Sequence, residues 1–454
     1  MRDLNDYESM LATSTCNVGL KLTLPPTKDD QVVESNLREA WSRTVEGRKL
    51  LQVRLVAKDG QMGLLGQRYS LAPMEDASKK ELFVVERKEQ LPSLVRKLQS
   101  VGVSALNITK GSYFVACTIQ KDEYERKVVQ FVFSLCHALS DGPGALMVAR
   151  SFLRHLSNVI DGIPMDKVEI QPLTDLQAAL LGEDYAKAQK EQPVFVGKDE
   201  FASALARQPP SWDDGTPVLP PEAMQGIPKD DGFGGPSFID CVHFSLTPDE
   251  TSLLRSKCRE HGTTVQGALV AAALKARLEL LDTFKNPVVV AVQIPVNTRT
   301  IAKVDEDFCL CGSAGVWHIS KVAKEAEWWE IAKDSTQTVR AALQDEEARH
   351  PKEWLRRLMN NPATLAPYSL MVSSVGVAPV EASYGSVQVE ELNFFGAALR
   401  NDEEPSQAIG SMIHAVTFRD KFHCFFNFTS PGISKEFAEK TAESIKKTLQ
   451  SFTL

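Results

Sequence analysis

The chain has 454 residues, 43% of them apolar and 24% charged, with a formal net charge of −8. This composition excludes a disordered chain, and the acidic balance excludes a basic nucleic-acid footprint. No apolar run approaches the ~20 residues that a membrane-spanning helix needs. The charged N-terminus, Met1 to Glu8, lacks the apolar stretch of a signal peptide. A soluble, cytoplasmic protein is therefore expected. The eight cysteines, at 16, 117, 136, 241, 258, 309, 311 and 424, form no CxxC pair. They read as reduced, mostly buried thiols, with no metal site among them.

Taken in chain order, Asn17 to Leu24 alternates like a half-buried strand. A helix capped by Asp29 or Asp30 follows, with Val32, Val33, Leu37, Ala40, Trp41 and Val45 at helical spacing. Leu50 to Val56 and Phe83 to Glu86 read as strands, and Leu91 to Val101 as a helix. Ser112 to Ile119 and Lys127 to Leu135 are two longer strands joined by a hairpin loop. The second is apolar almost throughout, as in a central strand covered on both faces. It runs directly into Cys136-His137-Ala138-Leu139-Ser140-Asp141-Gly142-Pro143-Gly144, and a helix follows from about Ala145 to Val159.

Residues 166–236 are rich in proline and contain one helical stretch near Leu176 to Gln189, so they read as a long crossover. Beyond them, Phe238 to Leu246 is a strand. Thr247-Pro248-Asp249-Glu250 opens a helix with a capping box. A strongly apolar helix starts at Thr263 or Thr264 and runs to Leu281. Val288 to Pro295 is a buried strand leading into Val296-Asn297-Thr298-Arg299. Ser313 to Ile319 is a strand and Ala323 to Arg349 a long helix. Ser369 to Val375, Gln388 to Phe395, Ile413 to Arg419 and Lys421 to Phe428 are strands, the last two turning at Arg419-Asp420-Lys421. Ser434 to Phe452 is the terminal helix. The expected division is an N-terminal lobe of residues 1–165, a crossover of 166–236 and a C-terminal lobe of 237–454, each lobe of α/β type.

His137 is the sharpest chemical signal. It ends a stiff apolar strand at a turn rich in Gly and Pro, so one ring nitrogen can face a cleft. An imidazole takes up a proton near neutral pH. Asp141, four residues on, can clamp the turn by pairing with an arginine or can cap the next helix. Gly142 and Gly144 permit close backbone approach. Val372-Ser373-Ser374-Val375-Gly376 ends another strand. Ser373 or Ser374 can donate to an oxyanion, or can simply bond to backbone; both readings stand. Cys136 and His137 are adjacent on a strand, so their side chains diverge, and a Cys136–His137 nucleophilic pair is not expected. His155, His243, His261, His318, His414 and His423 lack such a context and read as structural. There is no GxSxG elbow, no P-loop and no dinucleotide fingerprint.

On Phe133 to Gly144, Ile294 to Arg299 and Val372 to Gly376, the chain resembles the HxxxDG acyltransferase superfamily. That group includes chloramphenicol-acetyltransferase-like enzymes, condensation domains, plant acyltransferases and fungal alcohol O-acetyltransferases, and the flavour here is similar to the fungal trichothecene 15-O-acetyltransferase group. The resemblance implies two chloramphenicol-acetyltransferase-like lobes with a tunnel between them. It implies His137 as general base, a structural Asp141 followed by Gly142, and Arg299 as the arginine that Asp141 pairs with. It implies acyl-CoA, most simply acetyl-CoA, as co-substrate and a small-molecule hydroxyl as acceptor, in a monomer that transfers the acyl group directly.

Departures from the pattern matter. Condensation domains carry two histidines where this chain has Cys136 and His137, which disfavours an acyl carrier protein as the donor's bearer. The plant motif Asp-Phe-Gly-Trp-Gly is absent. A carrier-dependent condensation enzyme and a non-catalytic binding protein of the same fold remain the alternatives.

Overall fold

Two six-stranded sheets organise the protein in a computed structural model. It describes every residue except 1–2, 5–7, 9–10, 13, 27–28, 64–65, 77–80, 87–108, 125, 165–169, 172–237, 281–286, 305–310, 324, 345–369, 399–410, 431–432 and 454.

The first compact unit comprises Met1–Phe195, Ala302–Gly312 and Val377–Asn401. Its strands are β1 (Ser14–Leu24), β2 (Val53–Gly63), β3 (Gly66–Pro73), β4 (Phe83–Glu86), β5 (Tyr113–Lys121), β6 (Lys127–Cys136), β11 (Ser383–Tyr384) and β12 (Val387–Ala398). The main sheet has the order β11-β12-β1-β6-β5-β4, and β2 with β3 forms a separate hairpin. β1 is antiparallel to β6 on one side and to β12 on the other, placing Cys16 opposite both Leu135 and Gly396. Helices α1 (Asp30–Glu46) and α2 (Gly142–Ile160) belong to this unit, and Asp29 caps α1 through the Gln31 N–H. Trp41 of α1 packs against Tyr113, Phe131 and Phe133 of the sheet and Phe152 of α2, at ring distances of 5.3 to 5.9 Å. A second apolar cluster gathers Leu4, Leu50, Leu55, Leu71, Cys136, Ala138 and Leu139.

The second unit comprises Val196–Ile301, Ser313–Gly376 and Asp402–Leu454. It holds β7 (Phe238–Ser245), β8 (Val288–Asn297), β9 (Ser313–Val322), β10 (Leu370–Val377), β13 (Ser411–Phe418) and β14 (Lys421–Ser430), in the order β7-β14-β13-β10-β8-β9. β10 runs parallel to β8. The β13–β14 turn has positive φ at Arg419 and Asp420, as a two-residue hairpin of matching twist requires. The helices are α3 (Pro248–Glu260), α4 (Val265–Leu280), the single turn α5 (Arg299–Ala302), α6 (Trp328–Gln344) and α7 (Lys435–Ser451). The capping box at Thr247 forms, with Glu250 N–H on Thr247 Oγ1 at 3.2 Å and Thr247 N–H on Glu250 Oε2 at 2.7 Å. α4 is buried nearly all round and passes close to α6. A Cβ on Gly267 would meet the Ala332 carbonyl at 2.4 Å, so only glycine fits there.

The α/β character, the mixed sheets and the helical cover match the expected class, with several local corrections. Residues Lys49–Gln52 form a 3₁₀ turn before the strand begins at Val53. That turn lets the consecutive Leu50 and Leu51 both be buried, which a strand facing a single core would not. Strand β3, its hairpin partner, was not expected. The long helix starts at Trp328, not Ala323, because β9 continues to Val322 in register with Val288 and a turn intervenes, with Ala326 N–H on Ala323 O. Residues 345–349 of that helix, and the expected helices at Leu91 to Val101 and Leu176 to Gln189, lie outside the described residues. The division into 1–165, 166–236 and 237–454 does not contain one observed exchange. β12 and residues 302–312 come from the far half of the chain yet belong to the first unit. For β12 a backbone ladder explains it, because β1 pairs with β12 along its length.

Candidate active site

β6 supplies the site. Lys127–Cys136 has buried residues on both faces, with only Val128 partly exposed. Two ladders, to β1 and β5, leave the strand little freedom at its end. His137 follows at once, its N–H donating to Ser14 O at 2.8 Å. The chain then turns tightly, with the N–H groups of Leu139 and Ser140 both donating to Cys136 O. Cys136 and Ala138 are fully buried, whereas His137 is half-buried as a residue.

Asp141 is 1% exposed and caps α2, its Oδ1 accepting from Gly144 N–H at 2.9 Å. Its Oδ2 accepts from Gly312 N–H, also at 2.9 Å. One buried carboxylate thus ties the turn after His137 to the segment that carries Cys311. Gly142 is buried and opens α2, and Pro143 occupies the first turn, where no N–H is needed.

Arg299 belongs to the second unit and is fully buried. Its backbone N–H and its Nη1 both donate to Asn297 Oδ1, at 3.0 and 3.2 Å. Ser373 and Ser374 lie half-buried on β10 of the same unit, beside Val372, whose carbonyl accepts from Gln266 Nε2 at 2.9 Å.

Two cysteines sit at the His137 ring, and neither is its sequence neighbour. Cys311 Sγ lies 3.9 Å from His137 Nδ1. Cys16, buried on β1, lies near it, and each group shifts the other's proton affinity. Cys136 instead joins the apolar cluster with Leu4, Leu55 and Leu71, and burial pushes its thiol up to about 12. The divergence of Cys136 from His137 was legible from strand alternation. The approach of Cys16 and Cys311 was not, because they lie 121 and 174 positions away in the chain.

Burial pushes the His137 imidazole down. An ionised Cys16 sulfur, the ring's hydrogen bond to its own backbone, and Asp141 push it up, to about 9 with all of them acting. Burial also raises the Cys16 thiol above its ordinary value. Near neutral pH the Cys16 thiol holds its proton, so the ionised-sulfur contribution to the ring is weakened. A half-buried histidine on a rigid strand end can, in its neutral form, accept a proton from a bound hydroxyl or amine.

Five other described histidines pack against neighbours in the fold. His318 Nδ1 meets Thr338 Oγ1 at 3.1 Å, and buried His414 meets Asn427 at 2.8 Å. His243 and His423 contact each other at 3.2 Å on adjacent strands, and His261 stacks on Trp329. Phe131, Phe133, Phe394, Phe395, Phe425 and Phe426 are all buried core residues. Among the described residues no cluster of three His, Cys, Asp or Glu could hold a metal ion, and no helix is long and apolar enough to cross a membrane.

Comparison with known proteins shows the fold. The sequence profile of the phthiocerol/phthiodiolone dimycocerosyl transferase C-terminus matches residues 235–423. No curated protein sequence matches the chain. Among solved structures, the trichothecene 15-O-acetyltransferase TRI3 from Fusarium sporotrichioides superposes with a TM-score of 0.68 at 14% identity, covering 99% of this chain and 93% of that one. Polyketide synthase associated protein 5 from Mycobacterium tuberculosis gives 0.67 at 13% identity, covering 100% and 98%. The first condensation domain of the CDA synthetase gives 0.62 at 13% identity, covering 99% and 94%. The fold is that of the condensation-domain and chloramphenicol-acetyltransferase-like acyltransferases, as the HxxxDG motif implied.

Proposed function

We propose that this protein is a CoA-dependent O-acyltransferase that moves an acyl group, acetyl in the simplest case, to the hydroxyl of a small-molecule acceptor, with His137 as general base. The carrying observation is one half-buried histidine at the end of a buried strand, its backbone fixed by Ser14 and its turn pinned by Asp141. His137 takes the acceptor's proton as the oxygen attacks the thioester carbonyl. The tetrahedral intermediate collapses, the carbon–sulfur bond breaks, and the imidazolium returns the proton to the departing thiolate. Asp141, Gly142 and Arg299 keep the structural roles that the resemblance gives them. Ser373→Ala and Ser374→Ala test the oxyanion role, a donor of that kind contributing about 3 kcal/mol.

The decisive assay is thiol release from acetyl-CoA against a panel of alcohols, for wild type and His137→Ala. The variant is expected to melt like wild type and to lose roughly 100- to 10,000-fold in turnover. Near-normal turnover in a folded variant refutes the assignment. Transfer from an acylated carrier protein, with none from acyl-CoA, would move the reading to a condensation-type enzyme. Tight acyl-CoA binding with no transfer to any acceptor would leave a binding protein.

A further inference from the structure

We propose that Gln266 is a positioning residue, whose side-chain amide fixes the end of β10 that carries Ser373 and Ser374. The inference rests on the oxyanion role given to those serines under the proposed function. Gln266 Nε2 donates to the Val372 carbonyl at 2.9 Å. Val372 is fully buried, whereas Ser373, Ser374 and Val375 are half-buried and Gly376 and Val377 are exposed. The bond therefore grips β10 at the buried residue that directly precedes the two hydroxyls. Before Val372, β10 is in register with β8 at Leu370–Val292 and Met371–Gln293. Two residues past Ser374, Gly376 takes a φ of +75°, outside the usual extended region.

The base from which Gln266 reaches is rigid. It lies in the first turn of α4, where Gly267 N–H donates to Thr264 Oγ1 at 3.1 Å, the kind of contact by which a threonine caps a helix. Thr263 Oγ1 donates to Ala332 O of α6 at 2.7 Å. Thr336 Oγ1, also on α6, lies 2.9 and 3.2 Å from the hydroxyls of Thr263 and Thr264. Gly267 lets the two helices come this close, since a Cβ there would meet Ala332 O at 2.4 Å. Three hydroxyls and a glycine thus lock the first turn of α4 to α6, and Gln266 carries that rigidity to the strand.

The consequence for chemistry follows from the planarity of the peptide group. Val372 C=O and Ser373 N–H share one plane, so a bond that orients the carbonyl also orients the backbone from which Ser373 projects. A donor to a developing oxyanion acts only if its place is set before the charge appears. Misplacing it costs turnover without a matching loss of substrate binding.

The first arm of the test is hydrogen–deuterium exchange of the full-length protein, read by mass spectrometry on peptides covering β10. Gln266→Met keeps the length of the side chain and removes the donor. Gln266→Asn keeps the amide but shortens its reach by one methylene. In both, exchange at Ser373 to Val375 is expected to rise about fivefold, the net worth of one hydrogen bond, with exchange in α7 as in wild type. A β10 exchange that superimposes on wild type in either variant overturns the proposal.

The kinetic arm is thiol release from acetyl-CoA with a working acceptor. Gln266→Met is expected to lower kcat about tenfold while KM for acetyl-CoA holds. Combined with whichever of Ser373→Ala and Ser374→Ala itself lowers kcat, it is expected to add nothing further, because the hydroxyl it aims is gone. An undiminished loss in the combined variant overturns the positioning role, since a merely structural residue would give that result. If neither serine substitution lowers kcat, or if wild type transfers no acyl group, the reading beneath the inference fails. The exchange result then decides the anchoring of β10 by itself.

Discussion

Asp141→Ala perturbs two hydrogen bonds at once. The variant loses the α2 cap, a bond from Gly144 N–H to Oδ1 at 2.9 Å, and strips the buried Gly312 N–H of its acceptor at the same distance. Replacing an Asp cap by Ala costs about 1 kcal/mol, within roughly 0.5 to 2. A buried N–H left unpaired costs about 1 to 3 kcal/mol. The sum is centred near 3 kcal/mol, since the two bonds use different oxygens and satisfy different donors. With a urea m-value of about 3 kcal/mol per molar, the unfolding midpoint moves down by about 1 M. Far-UV circular dichroism against urea reads it. Asp141→Asn keeps one acceptor oxygen for the cap but turns an NH₂ donor towards Gly312, so its midpoint is expected between wild type and Asp141→Ala. Activity is expected to fall with stability in Asp141→Ala, because the turn that follows His137 loses its anchor. A midpoint for Asp141→Ala within error of wild type refutes the argument that this carboxylate holds the turn.

Two further outcomes follow from local features. Thr247→Ala breaks the capping box of α3, in which Thr247 and Glu250 satisfy each other's backbone donors. It is expected to cost about 1 kcal/mol of stability with transfer unchanged, and a catalytic defect at constant stability would contradict the structural role. Incubation with acetyl-CoA alone is expected to leave the intact mass unchanged, because direct transfer forms no acyl-enzyme. A stoichiometric acetyl gain would overturn direct transfer. Cys311, 3.9 Å from His137 Nδ1, would then be the first residue to test, by loss of the adduct in Cys311→Ala, since burial raises the Cys16 and Cys136 thiols.

The local steps of the argument were legible in the sequence because their causes are local. Val128 to Leu135 is apolar at nearly every position, and that run alone marks a strand covered on both faces. Thr247-Pro248-Asp249-Glu250 carries its own cap chemistry, and the box forms as written. The turn at Arg419-Asp420 and the cap at Asp29 belong to the same class. His137 stood out because a polar ring directly after such a strand has no packing reason to be there. Where local patterns competed with pairing, pairing won. Ala323 continues the helical period of the residues that follow, yet the β8–β9 ladder extends to Val322 and delays the helix.

The surroundings of His137 were decided by tertiary structure. Strand alternation could send the Cys136 side chain away from the ring, but it could not say which other sulfur would approach. Cys16 comes near the ring because β1 pairs antiparallel with β6, and Cys311 reaches it because Asp141 accepts from Gly312 N–H. β12 likewise joins the first sheet from residues 387–398 because the free edge of β1 offers a row of backbone donors and acceptors that another strand must satisfy. Side-chain period and capping chemistry act over a few residues and leave a mark in the sequence. Ladder partners are chosen by closing long loops, whose entropic cost grows only slowly with length, so a partner far along the chain competes almost evenly with one nearby and leaves no comparable mark.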